Sequence, residues 1–132
     1  MGYKFLDVSI VDGVATVTIN RPDVLNGLHP DSHREMELIW GDLGENKDVR
    51  AAILTGAGRV FCAGGDLKDM EARLNANPAD GSGISPASAR RIVFNLLDFE
   101  KPLISAINGH AIGLGATLGL LCDIVVSSDK AK

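Results

Sequence analysis

The chemistry open to this sequence lies first in its backbone. Two stretches, Ile53 to Met70 (ILTGAGRVFCAGGDLKDM) and Asn108 to Gly119 (NGHAIGLGATLG), share one grammar. In each, a buried strand leads into a glycine-rich turn and the start of a helix. A turn of that kind leaves backbone N–H groups unpaired and pointing outward, where they attract negative charge. Two such turns can direct two N–H groups at one oxygen. That is an oxyanion hole, and it stabilises charge that develops on a carbonyl in a transition state. Backbone donors need no side-chain ordering, and the dipole of the following helix adds to the attraction. Glycine allows the unusual φ values and the close approach to a ligand that such turns require.

Other uses of glycine turns fit less well. A phosphate-cradling P-loop needs Gly-Lys followed by Ser or Thr, which is absent. Gly113-Leu114-Gly115 follows a strand and opens a helix, as a dinucleotide fingerprint does. Its third glycine, Gly119, comes one residue late, and the helix is too short for the usual βαβ unit. On spacing alone, glycines that only let helices pack tightly on strands are the simpler explanation.

The nearby side chains read as structural. Asp66 stands where the N-cap of the next helix is expected, a better fit than a general base. Asp123 begins a strand, and His110 sits in a turn as a satisfied structural group. His29 and His33 flank a helix start and are expected in solvent. Cys62 and Cys122 form no CxxC pair and read as buried free thiols of a reducing compartment. No His, Cys or Asp spacing argues for a metal.

The elements that must carry the two turns follow from the apolar pattern. Phe5 to Ile10 and Val14 to Ile19 alternate on either side of Asp12-Gly13, a β-hairpin signal. Asn20-Arg21-Pro22-Asp23 ends the second strand, because proline cannot continue the ladder. Pro30 to Asn46 carries Met36, Ile39, Trp40 and Leu43 at helical spacing, with Asp31 or Ser32 as its cap. Val49 to Thr55 is a strand, and Gly56-Ala57-Gly58 turns out of it. The helix after Asp66 carries Leu67, Met70 and Leu74. Asn75 to Ser85 is rich in Asn, Pro, Asp, Gly and Ser, and a mobile surface loop is expected there in preference to a lid. Pro86 opens a helix through Leu97, with Ile92, Val93, Leu96 and Leu97 as its apolar stripe. Leu103 to Ile107 is a strand, Gly113 to Leu121 a short helix, and Asp123 to Ser127 another strand. Strands separated by helices imply crossovers and parallel pairing, hence an α/β fold.

The chain has 132 residues, which suits one domain. A net charge of -4 and a pI near 5.2 argue against nucleic acid as the main partner. The most apolar stretch, Pro102 to Val126, is broken by Asn108, Gly109, His110 and Asp123, so no membrane span is expected. The alternating N-terminus shows no secretory signal, and a cytoplasmic location is the expectation. Ser127 to Lys132 follows a strand with nothing to cover it, as in a cut through a longer domain.

FCAGGDLKDM and KPLISAINGHAIGLGATLGLLCDIVVSS, with the hairpin and NRPDVLNGL ahead of them, resemble the crotonase family, the enoyl-CoA hydratase/isomerase superfamily. The resemblance covers essentially the whole chain, and these motifs in order are specific to it. It implies a crotonase-like spiral of ββα units, truncated before the C-terminal helices. Residues 1–132 would be the N-terminal part of a single such domain. It implies an acyl-CoA thioester as substrate, coenzyme A being part of that substrate, with no other cofactor. The thioester oxygen would be held by the N–H groups of Gly65, in Ala63-Gly64-Gly65-Asp66, and of Leu114, in Gly113-Leu114-Gly115. An enolate intermediate would be stabilised there. Val24, Leu25, Ala63, Asp66 and Leu67 would line the CoA and pantetheine path. Full-length members commonly form homotrimers or dimers of trimers.

The resemblance also exposes a departure. Typical hydratases divide water addition and proton delivery between two glutamates. The first belongs two residues after the position of Gly115, where this chain has Thr117. Threonine is no general base near neutral pH without a partner. The second acid belongs beyond Lys132. Single-acid isomerisation therefore fits better than two-acid hydration, and a non-catalytic acyl-CoA-binding or interaction protein is the alternative. An RNA-binding branch of the family uses a lysine-rich helix; Pro30 to Asn46 is acidic, which ranks that role last.

Overall fold

A computed structural model describes residues 2–76 and 85–132. In chain order it contains β1 (Leu6–Val11), β2 (Val14–Ile19), a 3-10 turn (Pro22–Val24), α1 (Pro30–Glu45), β3 (Ala51–Gly56), β4 (Val60–Cys62) and α2 (Leu67–Leu74). There follow α3 (Pro86–Leu97), β5 (Leu103–Ile107), β6 (His110–Ala111), α4 (Leu114–Leu120) and β7 (Ile124–Ser127). Of the loop expected over Asn75 to Ser85, residues 77–84 lie outside the described residues.

The hairpin forms as its sequence dictates. β1 and β2 pair antiparallel with Val11 opposite Val14. Asp12 at φ +50° and Gly13 at φ +83° supply the two left-handed residues that match the twist of the strands. The main sheet then grows in parallel, in the order β1-β2-β3-β5-β7. That is also chain order, so the polypeptide winds in one direction and each crossover carries a helix. β4 and β6 leave this sheet and pair in parallel with each other.

α1 covers the sheet with Met36, Ile39, Trp40 and Leu43, all fully buried or nearly so. Its cap is His29, not Asp31 or Ser32. Pro30 takes the first helical position, which suits a residue with no N–H, and the cap is therefore the residue before it. Ser32 completes a capping box: its N–H donates to His29 Nδ1 at 3.3 Å, and its hydroxyl accepts from the His29 N–H at 2.9 Å. α3 packs on α1 through a stripe narrower than expected. Ile92 and Leu96 are buried, Val93 is half-buried, and Leu97 is exposed. No residue of α2 is buried, and Leu67, Met70 and Leu74 face outward. All of β7 is exposed as well. No helix among the described residues is long and apolar enough to cross a membrane.

Candidate active site

β4 and β6 position the two glycine turns. These strands are parallel neighbours, so the turns that leave them, Ala63-Gly64-Gly65 and Ile112-Gly113-Leu114, emerge side by side. The Ile112 N–H donates to the Cys62 carbonyl at 2.9 Å and ties one turn to the other. The approach leaves no room for side chains. A Cβ on Gly64, itself at φ +82°, would lie 2.7 Å from the Ile112 carbonyl oxygen and 3.6 Å from the Leu114 nitrogen. One on Gly115 would lie 2.7 Å from Cys62 Cβ. Tight packing and outward N–H groups, read from the sequence as alternatives, are thus two consequences of one arrangement.

Gly65 is exposed and Leu114 half-buried. Gly65 forms an isolated parallel bridge with Leu28. In it the Leu28 N–H donates to the Gly64 carbonyl at 2.6 Å, and the Asp66 N–H donates to the Leu28 carbonyl at 3.0 Å. Gly65 N–H takes no part in that bridge. Leu114 opens α4, where an N–H has no intrahelical acceptor. Among the described residues neither N–H has a backbone acceptor.

A third segment runs against these turns. After Pro22–Val24 the chain reverses through Leu25 at φ +54° and Asn26 at φ +56°. A left-handed leucine is strained by about 1–2 kcal/mol. Asn26 holds it. This wholly buried side chain accepts from the Arg21 N–H at 2.9 Å and donates to the carbonyls of Ala57 at 2.9 Å and Val60 at 2.7 Å. Leu25 in turn accepts from the Ala63 N–H at 3.1 Å. Val24, Leu25, Ala63, Gly65, Asp66 and Leu67 therefore lie along one rim, with Leu114 on the adjoining turn. Leu25 and Leu67 present exposed apolar surface to it.

Asp66 caps α2 as expected. Its Oδ1 accepts from the N–H groups of Lys68 at 3.0 Å and Asp69 at 3.3 Å, and its Oδ2 meets Arg21 Nη1 at 2.9 Å. Burial alone would raise the Asp66 pKa. The hydrogen-bonded Arg21 guanidinium and the two N–H groups outweigh burial and hold the carboxyl below its usual range. Arg21 also donates to the Gly27 carbonyl and lies over the Phe5 ring, 5.6 Å from its centroid. Phe5 meets His29 edge-on at 4.5 Å.

The histidines depart from expectation. His33 is buried, because α1 turns that face toward α3; its Nδ1 is 3.5 Å from Ser88 Oγ. Burial, with Arg73 adding repulsion, pushes its pKa down to about 4. His29 is half-buried, and burial and then Arg21 lower its pKa. His110 belongs to β6 and is exposed, not held in a turn. Other sequence readings stand. Asp123 Oδ2 accepts from the Leu103 N–H at 2.8 Å. Both cysteines are buried and free, and burial pushes each thiol up to about 11. Thr117 is exposed on α4, and its hydroxyl donates back to the Gly113 carbonyl at 3.3 Å.

Arg21 and Asn26 had no functional reading in the sequence. Arg21 falls in the run that ends the second strand and Asn26 within NRPDVLNGL; their partners Asp66, Ala57 and Val60 lie far along the chain. A cleft of about 750 Å³ beside α1, lined by Glu37, Trp40, Asp98 and Lys101 among others, includes none of the rim residues. Among the described residues no group of three or more His, Cys, Asp or Glu side chains could hold a metal.

The pattern of the family Enoyl-CoA hydratase/isomerase matches residues 9–132. The chain is 40% identical over 121 residues to a short-chain-enoyl-CoA hydratase of Clostridium acetobutylicum, covering 90% of this chain and 44% of that protein. It is 38% identical over 130 residues to the 1,2-epoxyphenylacetyl-CoA isomerase of Escherichia coli, covering 98% of this chain and 49% of that one. The solved structure of an enoyl-CoA hydratase from Mycobacterium marinum aligns with a TM-score of 0.86 at 34% identity, covering 97% of this chain and 59% of that chain. The spiral α/β architecture expected from the sequence is shared with such structures. The chain spans about half the length of the curated relatives it matches.

Proposed function

This chain belongs to the enoyl-CoA hydratase/isomerase family, and from that premise we propose that it is the N-terminal part of a single crotonase-like domain whose two glycine turns polarise an acyl-CoA thioester. The thioester oxygen accepts hydrogen bonds from the N–H groups of Gly65 and Leu114. When a base takes the γ-proton of a 2-enoyl thioester, or water adds at its β-carbon, negative charge moves through the conjugated chain onto that oxygen. The two fixed donors stabilise it without reorganising. Val24, Leu25, Ala63, Asp66 and Leu67 line the path of the pantetheine and nucleotide. Asp66 is not the base: its carboxylate is engaged by Arg21 and by two N–H groups. The proton is taken, and returned to the α-carbon of the enolate, by a carboxylate of the protein outside these residues. Coenzyme A enters only as part of the substrate, and the assembled form is a homotrimer or dimer of trimers in the cytoplasm.

The observation that supports this most is the pairing of β4 with β6, which brings two unpaired N–H turns together. The test compares two substitutions at one position in the protein that carries this chain. Gly65→Pro removes the N–H donor and should lower kcat on a trans-2-enoyl-CoA about 10²- to 10³-fold. Gly65→Ala keeps the donor. Its Cβ would lie 2.9 Å from Met70 Sδ, the movable end of a flexible side chain, so most activity should survive. Equal activity in a folded Gly65→Pro variant removes the assignment.

Thr117 favours a second reading, in which the protein binds an acyl-CoA without turning it over. Calorimetric binding of a thioester, with neither hydration nor isomerisation of any enoyl-CoA, would select it.

A further inference from the structure

We infer that Arg21 is the positioning residue of this site: its guanidinium staples together the two backbone segments that aim the Gly65 N–H. This rests on the reading of Gly65 as an oxyanion donor. Gly65 has no side chain through which to be held, and it is exposed. Its N–H shares a peptide plane with the Gly64 carbonyl, and every peptide bond among the described residues is trans. In a trans peptide the C=O and N–H point in opposite directions. The Leu28 N–H, bonded to the Gly64 carbonyl at 2.6 Å, therefore fixes the direction of the Gly65 N–H, away from Leu28.

That bridge is as accurate as the register of its two segments. Arg21 grips the residue next to each bridge partner. On one side its Nη1 donates to the carbonyl of Gly27, which precedes Leu28. On the other it pairs at 2.9 Å with Asp66, which follows Gly65. The backbones are in contact at that point: a Cβ on Gly27 would lie 3.1 Å from Asp66 Cα. The Asp66 carboxylate is fixed in turn by the first N–H groups of α2. The side chains of Arg21 and Asp66 are 14% and 7% exposed, so breaking the pair would leave a buried charge without its partner, which is costly. Phe5 covers one face of the guanidinium. Both contacts run through Nη1, which has one N–H for each acceptor, while the flat guanidinium lies over the Phe5 ring; a compact ammonium cannot keep that ring contact and the same reach together.

Arg21→Lys keeps the charge and tests the geometry. In the protein carrying this chain, kcat on a trans-2-enoyl-CoA should fall about tenfold or more, with KM changed less than about twofold. In a Gly65→Pro background, where the donor is gone, Arg21→Lys should cost little further. A second readout needs no activity. In the same protein, amide hydrogen exchange at Leu28 and Asp66 should accelerate about tenfold in Arg21→Lys. The Ala52 N–H, bonded to the Pro102 carbonyl at 2.9 Å, is the control and should not change. If Gly65→Pro is harmless, the oxyanion reading fails. If Gly65→Pro is damaging but Arg21→Lys is silent, or its effect on kcat is fully additive, the positioning role is overturned. Unchanged exchange at Leu28 and Asp66 overturns it as well.

Discussion

His33 and Asp66 show two ways in which surroundings set a titratable residue: burial prevails at His33, and hydrogen-bonded partners outweigh it at Asp66. His33 is held neutral, with a folded pKa of about 4 against its ordinary 6.5. Between those values the unfolded chain binds more protons than the folded one, so stability falls as the pH drops from 6.5 toward 4. The slope is at most about 1.4 kcal/mol per pH unit. Asp66 is the opposite case. Its folded pKa lies below the ordinary 3.8, so its stabilisation is present above 3.8 and is lost as pH falls through the lower folded value. Acid should therefore weaken the fold in two stages, His33 first. Thermal unfolding of the chain across pH should show a flatter profile in His33→Gln between pH 6.5 and 4, with the loss below 3.8 retained. An unaltered profile in that upper window would count against a buried neutral imidazole. Asp66 was legible as a cap because a cap is a local hydrogen-bond pattern. His33 was not, because its burial depends on α3, far along the chain.

At the level of elements, the glycines divide by what surrounds them. Gly41 lies on the exposed face of α1, and a Cβ there would meet nothing within 4 Å. Gly41→Ala should stabilise the chain by about 0.5–1 kcal/mol in urea denaturation, through helix propensity. Gly115 sits where α4 begins against β4, and a Cβ there would lie 2.7 Å from Cys62 Cβ, with the Cys62 carbonyl closer still. Gly115→Ala should cost about 2 kcal/mol or more, because the neighbour is backbone and cannot swing aside. A harmless Gly115→Ala would mean that the two turns do not touch in this way. The long elements were readable from periodicity: the hairpin, α1, α3 and β5 lie within two residues of their expected bounds. β4, with three residues, and β6, with two, were not. Strands that short carry no alternation to read, and they exist because each has the other to pair with.

For the molecule as a whole, the exposed apolar surface is unevenly distributed. Leu120, Ile124 and Val126 are 66%, 55% and 57% exposed, and nothing among the described residues covers them. An apolar edge strand of this kind attracts apolar contacts. The chain should bind the dye ANS, and paired Ile124→Lys and Val126→Lys substitutions should reduce its fluorescence by about half with the far-UV circular dichroism unchanged. Equal fluorescence would place the dye elsewhere, such as on Leu67 and Leu74 of α2, which are 78% and 87% exposed. By itself the sequence determined the hairpin, the helices, the Asp66 cap, the α/β class and the motifs that resemble one family. All of these rest on side-chain periodicity and on hydrogen bonds within a few residues. Only the tertiary structure decided that β4 and β6 set the two glycine turns together, that His33 is buried, and that Arg21 grips Gly27 and Asp66. Each of these joins residues distant in the chain, and their stability comes from partners that no local pattern announces.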